Sequence, residues 1–535
     1  MSSLTNGGLF SERMEKRGAE ARCMVVLERA ADEVPRIGDA VRGPRARWRT
    51  PLVIGVGVTL VTYLGAGVPS YWGDEAASVL SAERSWPSLF AELSTVDAVH
   101  GLYYSLLHLW IGVFGSTEWS TRALSALGIG VLAAGVVVLG ERWFDRRIGV
   151  LAGILIAVIP RAGVLAIETR GYAIAAAAAV WVTILFVRLV DRDGRRRGWI
   201  LYGVAVAVSA TFFLYLLLMP LVHLTVLLVD RAWTRHPRVL RRWLVSMVLA
   251  AVLALPIMMS AQQQKGQVEF LARRGYMTPT GWFVTPWFGH VGAAALLIPV
   301  LLIGIIAVVL RRPRREGAAP VIVWLLAPGI VLVLIDVLFS PTFNPRYLSF
   351  SLGAVAMLLA SGVWAILDLA RGVAGRRGLL GSSAVLIILG ALLLAPEFVH
   401  ERGVYAKDGG ADGRAAAAQV ASIGRPGDTV LFGTGTRPSR APRLVYRLYP
   451  EAFQGMSDPQ LITAAEDTDG LWDRLATVES VAPELSAGTV WLLETGSTGS
   501  ADADVAALQR AGFTEVSRTD INRTVVYEFR KGTQS

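Results

Sequence analysis

Apolar runs recur from residue 51 to about residue 396, most of them near the roughly 20 residues that carry a helix across a hydrocarbon core of about 30 Å. A chain patterned this way has few options, because backbone N–H and C=O groups in lipid must be paired inside their own segment; spanning helices achieve that. Periodicity within the runs is nearly absent, as expected of spans that face neighbouring helices and lipid rather than water. The hydrophobic share of 53% exceeds the roughly 45–50% of soluble domains. The net charge of +10 comes mostly from arginines in short loops between apolar runs, a pattern that suits membrane orientation better than nucleic-acid binding. Cys23 is the only cysteine, which excludes an intrachain disulfide and a cysteine-built metal site.

The expected spans are 51–69, 122–140, 148–166, 173–190, a pair within 199–229, 243–260, 291–310, 318–339, 348–370 and 379–396, eleven in all. Residues 1–50 are polar and Arg-rich, too long and too charged for the n-region of a cleaved signal peptide, and read as a disordered cytoplasmic tail. With the amino terminus inside, the cytoplasmic loops hold 19 Lys and Arg against 6 in the opposite loops, which selects this orientation. Two segments test it. Gly101 to Gly115 is about 22 Å long as a helix and is placed at the outer interface, and 199–229 must turn back near Phe213 to Pro220.

The fold class expected is therefore a mainly α polytopic membrane protein, its spans within 51–396 and its first outer loop at 70–121. Residues 397–535 are more polar and form a small extracytoplasmic α/β domain. In that domain 428–433 and 489–494 read as buried strands, 503–513 as a helix and 524–529 as a final alternating strand.

Chemistry-bearing residues collect on the predicted outer side. Asp74 and Glu75 follow the first span in SYWGDEAAS; one carboxylate can act as a base, its pKa raised beside lipid, or both can simply favour the start of a helix. Asp97, His100, Tyr103 and Tyr104 lie in VDAVHGLYY, where an acid, an imidazole and phenols resemble a carbohydrate-binding edge, or else a helix cap and an aromatic belt. Glu168, Arg170 and Tyr172 occupy a short junction between spans, where an ionisable group is costly and a Glu168 to Arg170 tie is the plainer reading. Arg346 and Tyr347 precede a late span; Arg346 can grip a phosphate or snorkel to headgroups. Lys265, Arg273 and Arg274 sit among aromatics in a larger loop able to fold over an anionic headgroup, or to lie at the interface as an ordinary loop.

These clusters resemble the GT-C superfamily, particularly glycosyltransferase family 39 and related bacterial polyprenyl-phosphate mannosyl- and aminoarabinose transferases, over roughly residues 51–400. The family's acidic pair is matched by Asp74 and Glu75. Its His-Pro-Pro-Leu-Tyr-Tyr segment is echoed by His100, Gly101, Leu102, Tyr103 and Tyr104, without the prolines. Its Glu-x-Arg-x-Tyr-Ala element is matched by Glu168, Arg170, Tyr172 and Ala173, and its Arg-Tyr pair by Arg346 and Tyr347. The resemblance implies transfer of mannose or another hexose or pentose from a polyprenyl-phosphate donor, with inversion, to an envelope glycan, lipid or protein outside the plasma membrane. Asp74 would be the general base; Glu75, Asp97, His100, Tyr103, Glu168 and Tyr172 would orient sugar or acceptor. Arg170, Arg346, Tyr347, Lys265 and Arg273 would receive phosphate. No cofactor is expected, although Asp74, Glu75 and Asp97 are a donor set suited to Mg²⁺ or Mn²⁺. The rival readings are a lipid-linked-sugar flippase and a noncatalytic envelope scaffold.

Overall fold

The computed structural model describes residues 44–231, 234, 237–310, 317–339, 342–374, 390, 392–486, 488–496 and 499–531. Among the described residues six helices are long and apolar enough to cross a membrane: Glu118–Trp143, Tyr172–Asp191, Pro237–Gln263, Val291–Leu310, Ala318–Leu338 and Pro345–Ala370. A seventh span arises if the bent pair Arg146–Leu155 and Pro160–Ala166, which meet at 58°, counts as one. Pro160 causes that bend, because it drives Ile159 out of the helical region to ψ 118°.

Eleven spans are thus more than the described residues supply, for three reasons. The first helix, Pro44–Tyr63, opens with Arg45, Arg47 and Arg49 and stops six residues before the expected end at 69, so it is not among the six. The pair within 199–229 does break at Phe213, into Arg196–Phe212 and Met219–Asp230, but at 17 and 12 residues neither reaches the length of a full span. The span expected at 379–396 falls mostly outside the described residues, as does most of the tail expected at 1–50, of which 44–50 are helical.

Burial separates the spans into two sorts. The most apolar stretch of Pro345–Ala370 is 78% buried within the protein, that of Pro237–Gln263 only 17%, so the first lies among its neighbours and the second offers its side chains to lipid. Close packing of Val291–Leu310 on the Pro345–Ala370 segment depends on absent side chains. A Cβ at Gly304 would stand 1.9 Å from the Leu358 carbonyl, and one at Gly362 2.0 Å from that of Val300.

The C-terminal part carries a two-stranded sheet of β2 Leu461–Thr463 and β3 Arg474–Leu475 and a four-stranded mixed sheet in the order β1-β4-β6-β5, with β1 Thr429–Phe432, β4 Thr489–Thr495, β5 Phe513–Asp520 and β6 Thr524–Lys531. β1 and β4 run parallel, and β6 is antiparallel to both β4 and β5. Alternation along the strands builds two small cores. Val430, Phe432, Trp491 and Leu493 pack with Ala416 and Val420 of the helix Gly413–Ile423, while Leu431, Val490, Leu492 and Phe529 pack with Leu508 of the helix Gly499–Arg510. This sheet and the helices from Val53 onward form one compact unit. Tyr449 Oη donates to Glu118 at 2.7 Å, and the Arg84 guanidinium donates to the Thr468 carbonyl at 3.1 Å.

Candidate active site

The helix Gly73–Glu83 begins immediately after a buried turn and presents Asp74 and Glu75 in its first turn. Adjacent helical residues point about 100° apart, so the two carboxylates meet different surroundings. Glu75 turns inward and is fully buried. Its oxygens accept from Arg122 Nε at 2.8 Å and Nη2 at 2.7 Å and from the Thr169 N–H at 2.8 Å, and Lys407 Nζ lies 3.1 Å away. Arg122 also donates to the carbonyls of Ala66, Pro69 and Ser70, so this ion cluster fastens the turn ahead of the helix. Burial pushes the Glu75 carboxyl up, but Arg122 and then Lys407 outweigh it and hold it at about 2. Lys407 is brought down to about 8 by burial and by Arg122, against the pull of Glu75.

Asp74, whose surroundings we call the cleft, points away from Glu75 and stays partly open to solvent, its side chain 35% exposed. Its Oδ2 accepts from Arg346 Nη1 at 2.9 Å, and the same nitrogen stands 3.6 Å from Glu168 Oε1. Arg346 is brought there by Asn344, whose side chain accepts from the Arg346 N–H at 3.1 Å at the head of a 3₁₀ turn, Pro345–Ser351. Its guanidinium lies 5.1 Å over the Trp72 ring.

Arg170 closes the back of the cleft. It donates to the Asp74 carbonyl at 3.3 Å, Ser78 Oγ at 3.3 Å and Tyr104 Oη at 3.4 Å, while its Nη2 meets His100 Nε2 at 2.9 Å. A guanidinium has no acceptor, so His100 Nε2 carries no proton there and the ring is neutral. Burial and Arg170 both push the imidazole well below its ordinary value, which agrees. Tyr104 Oη donates a hydrogen bond to Asp97 Oδ2 at 2.8 Å.

The two aspartates are driven in opposite directions. Burial raises Asp97 beyond what Arg170 and Tyr104 lower it, whereas Arg170 and Arg346 overcome burial at Asp74 and hold it below the usual aspartate range. The raised pKa expected for a carboxylate of the Asp74–Glu75 pair is found at neither: burial pushes each up, but the cations beside them outweigh it.

Asp74, Asp97, His100, Tyr104, Glu168, Arg170 and Arg346 thus form one connected set. The other expected members differ in place. Glu75 points away from Arg346 toward Arg122. Tyr103 is buried against Leu89 and Leu107 within electrostatic reach of Arg170, Glu75 and Glu168, while Tyr104 is the phenol that hydrogen-bonds within the set. Tyr172 and Tyr347 form an aromatic wall with Phe213, at ring distances of 5.6 and 5.7 Å, and that wall lies beside Arg346 and Arg170. Lys265 and Arg273 are exposed, and among the described residues neither touches the cluster. From their loop it is Gln264 and Gln267 that reach in, accepting from the Ala98 N–H at 2.9 Å and the Asp97 N–H at 3.3 Å. Asp97 does not cap a helix by its side chain; it adopts a left-handed φ of 56° and spends its carboxylate on Tyr104. A cation held by Asp74, Glu75 and Asp97 does not fit this arrangement, because Glu75 is committed to Arg122 and Lys407 and Asp97 to Tyr104. Among the described residues no group of three or more potential metal ligands occurs.

Sequence reading passed over Trp72, Arg122 and Lys407. The signal for Arg122 was available, since an arginine inside an apolar run needs a buried partner. Lys407 carried no such signal, being 332 positions from Glu75.

Residues 102–259 match the family model described as dolichyl-phosphate-mannose-protein mannosyltransferase. The crystal structure of ArnT from Cupriavidus metallidurans in the apo state superposes with a TM-score of 0.55 at 15% identity, over 89% of this chain and 97% of that one. This chain carries the GT-C glycosyltransferase fold. The same ArnT bound to undecaprenyl phosphate gives a TM-score of 0.54 at 16% identity, again over 89% of this chain and 97% of that one. Among curated proteins no sequence match is found. Within this GT-C fold, Tyr104, Glu168 and Arg170 lie inside the family-matched segment, whereas Asp74, Asp97, His100 and Arg346 lie outside it and join it through the contacts described.

Proposed function

We propose that the protein is a membrane glycosyltransferase that moves a sugar, mannose or another hexose or pentose, from a polyprenyl-phosphate donor to a hydroxyl of an envelope glycan, lipid or protein. The reading rests above all on Arg346, a partly exposed guanidinium shared by two carboxylates, Asp74 at 2.9 Å and Glu168 at 3.6 Å. A donor phosphate is a stronger partner for that fork than either carboxylate and would draw Arg346 to itself. Asp74 would then lose one of its two cations, keeping Arg170, and become a better base as the donor binds. It takes the proton of the acceptor hydroxyl while that oxygen forms a bond to the anomeric carbon from the face opposite the phosphate. The bond from the anomeric carbon to the phosphate oxygen breaks, and polyprenyl phosphate leaves with the electron pair, its charge met by Arg346. The configuration at the anomeric carbon is inverted.

In this account Arg170 and His100 fix the backbone at Asp74 and the edge of the cleft, Glu168 and Asp97 stabilise the cationic sugar, and Glu75 is a positioning residue. The structure of ArnT with undecaprenyl phosphate supports a lipid-phosphate donor for this fold. Arginine asymmetry between the loops supports a cytoplasmic amino terminus, with the cleft and the C-terminal part outside the plasma membrane. Purified protein given a polyprenyl-phosphate-linked sugar and an envelope extract separates the readings. Transfer with release of polyprenyl phosphate is expected; movement of intact lipid between leaflets marks a flippase, and neither marks a scaffold.

A further inference from the structure

We propose that the crevice between the Gly73–Glu83 helix and the C-terminal part is a saccharide subsite, holding a pyranose ring of the acceptor remote from the reacting hydroxyl. The acceptor assignment rests on the transfer reading above; the saccharide binding itself does not. The cavity measures about 210 Å³, bounded by Leu80 on the helix and by Thr436, Arg447, Trp472 and Asp473 opposite. It is smaller than the roughly 300–1,000 Å³ of pockets for drug-sized ligands, which leaves room for one sugar ring but not for a lipid or a nucleotide.

Its lining is mostly apolar, with Leu80, Leu444, Leu471 and Leu475, and its charges are paired, which suits a neutral ligand that has an apolar face and a few hydroxyls. Asp473 is satisfied from several sides, by Arg443 Nε at 2.8 Å, Arg447 Nη1 at 3.2 Å and the Ala465 N–H at 2.9 Å, and Arg447 is also paired with Glu466. Paired charges offer fixed polar edges without the unspent cation that a phosphate needs. Trp472, half-buried, gives the flat apolar surface that the C–H face of a sugar covers. Thr436 supplies the second, independent sign: its Oγ1 is buried and has no hydrogen-bond partner among the described residues, yet Thr436 lines the cavity. Buried hydroxyls ordinarily find a partner, and a turn of the Thr436 side chain about its Cα–Cβ bond would offer this one to a ligand hydroxyl in the cavity. The segment Gly433–Thr436 leaves the carboxyl end of β1, which is parallel to β4, the edge at which parallel sheets commonly take ligands.

Position favours acceptor over donor. The Gly73 side of the helix packs on the C-terminal part, where a Cβ at Gly73 would stand 2.1 Å from the Ser439 carbonyl, whereas Asp74 and Ser78 face Arg346 and Arg170. Leu80 is seven residues beyond Gly73, about 10 Å along the axis, a separation that a short run of sugar rings bridges. The donor sugar, tied to phosphate at Arg346, stays on the other side.

Saturation-transfer NMR on the full chain in detergent tests this with linear trisaccharides of mannose, glucose and galactose. At least one is expected to bind the wild type and Asp74→Asn alike. Binding should weaken about tenfold in Trp472→Ala, the scale of a truncated aromatic anchor. It should weaken about fivefold in Thr436→Val, which keeps the shape of the side chain and removes one hydrogen bond. Inorganic phosphate should displace nothing. The proposal is overturned if none of the three binds, if binding survives unchanged in Thr436→Val, if Asp74→Asn alone abolishes it, or if phosphate competes. Should Trp472→Ala fail to fold, Thr436→Val decides alone. Binding that follows these variants in a protein without transferase activity would sink the transfer reading and leave the subsite standing.

Discussion

Arg346 spends one guanidinium nitrogen on two carboxylates, and that sharing fixes what pH should do to the reaction. In the free protein Arg170 and Arg346 hold Asp74 below its ordinary range, so it stays ionised and the acid limb of kcat/KM lies low. Under the proposed exchange, a phosphate at Arg346 would deprive Asp74 of one stabilising cation and raise its pKa. The acid limb of kcat is therefore expected at a higher pH than that of kcat/KM, and coincident limbs in the two profiles would refute the exchange of partners. Arg346→Lys keeps the charge but not the planar fork. It should raise KM for the lipid donor by about tenfold or more, measured in steady-state transfer assays. Glu75→Gln acts differently, for it leaves Arg122 and Lys407 buried around a neutral amide. Breaking such a pair costs about 3–5 kcal/mol, which should appear as a lowered melting temperature whether or not substrate is present. Because Glu75 is depressed to about 2 from an ordinary 4.5, the stability it contributes is complete above about pH 4.5 and is lost as pH falls through 2.

The Gly73–Glu83 helix is where membrane helices and C-terminal sheet meet, and Gly73 permits the approach. A methyl group there would collide with the Ser439 carbonyl, which is backbone and cannot swing aside. Gly73→Ala is expected to push the C-terminal loop off the helix and to depress transfer activity while Asp74, Arg346 and Arg170 remain in place. Limited proteolysis near Arg437 should speed up with it; an unchanged digestion pattern and full activity would contradict this packing. Elements differed in how plainly the sequence announced them. β1, β4 and β6 were readable because their buried residues alternate or run unbroken, as in TVWLLE. β5 was not, since only Phe513 of its eight residues is buried and a polar edge strand leaves no apolar trace. Helices of 17 and 12 residues were counted as spans because hydropathy measures composition and does not see where Phe213 leaves the helix.

At the scale of the molecule, residues distant in sequence share one buried charge network. Lys407 reaches Glu75, Arg414 pairs with Glu118, and Tyr449 donates to that same Glu118. Removing residues 407–531 would strip these partners from the helical part, and the truncated protein is expected to lose its monodisperse peak on size exclusion in detergent. The order of motifs along the chain let the sequence suggest that Asp74, His100, Arg170 and Arg346 belong together. It does not reveal which face of a helix each occupies, so nothing in the order of motifs shows that Glu75 turns inward to Arg122 and away from Arg346. The account as a whole depends on Asp74 taking a proton while Arg346 takes the phosphate. Its most direct test is the release of polyprenyl phosphate by purified Asp74→Asn protein of wild-type stability. The account predicts a rate lower by roughly 10²–10⁴-fold, the usual contribution of a positioned base; release at the wild-type rate would contradict it.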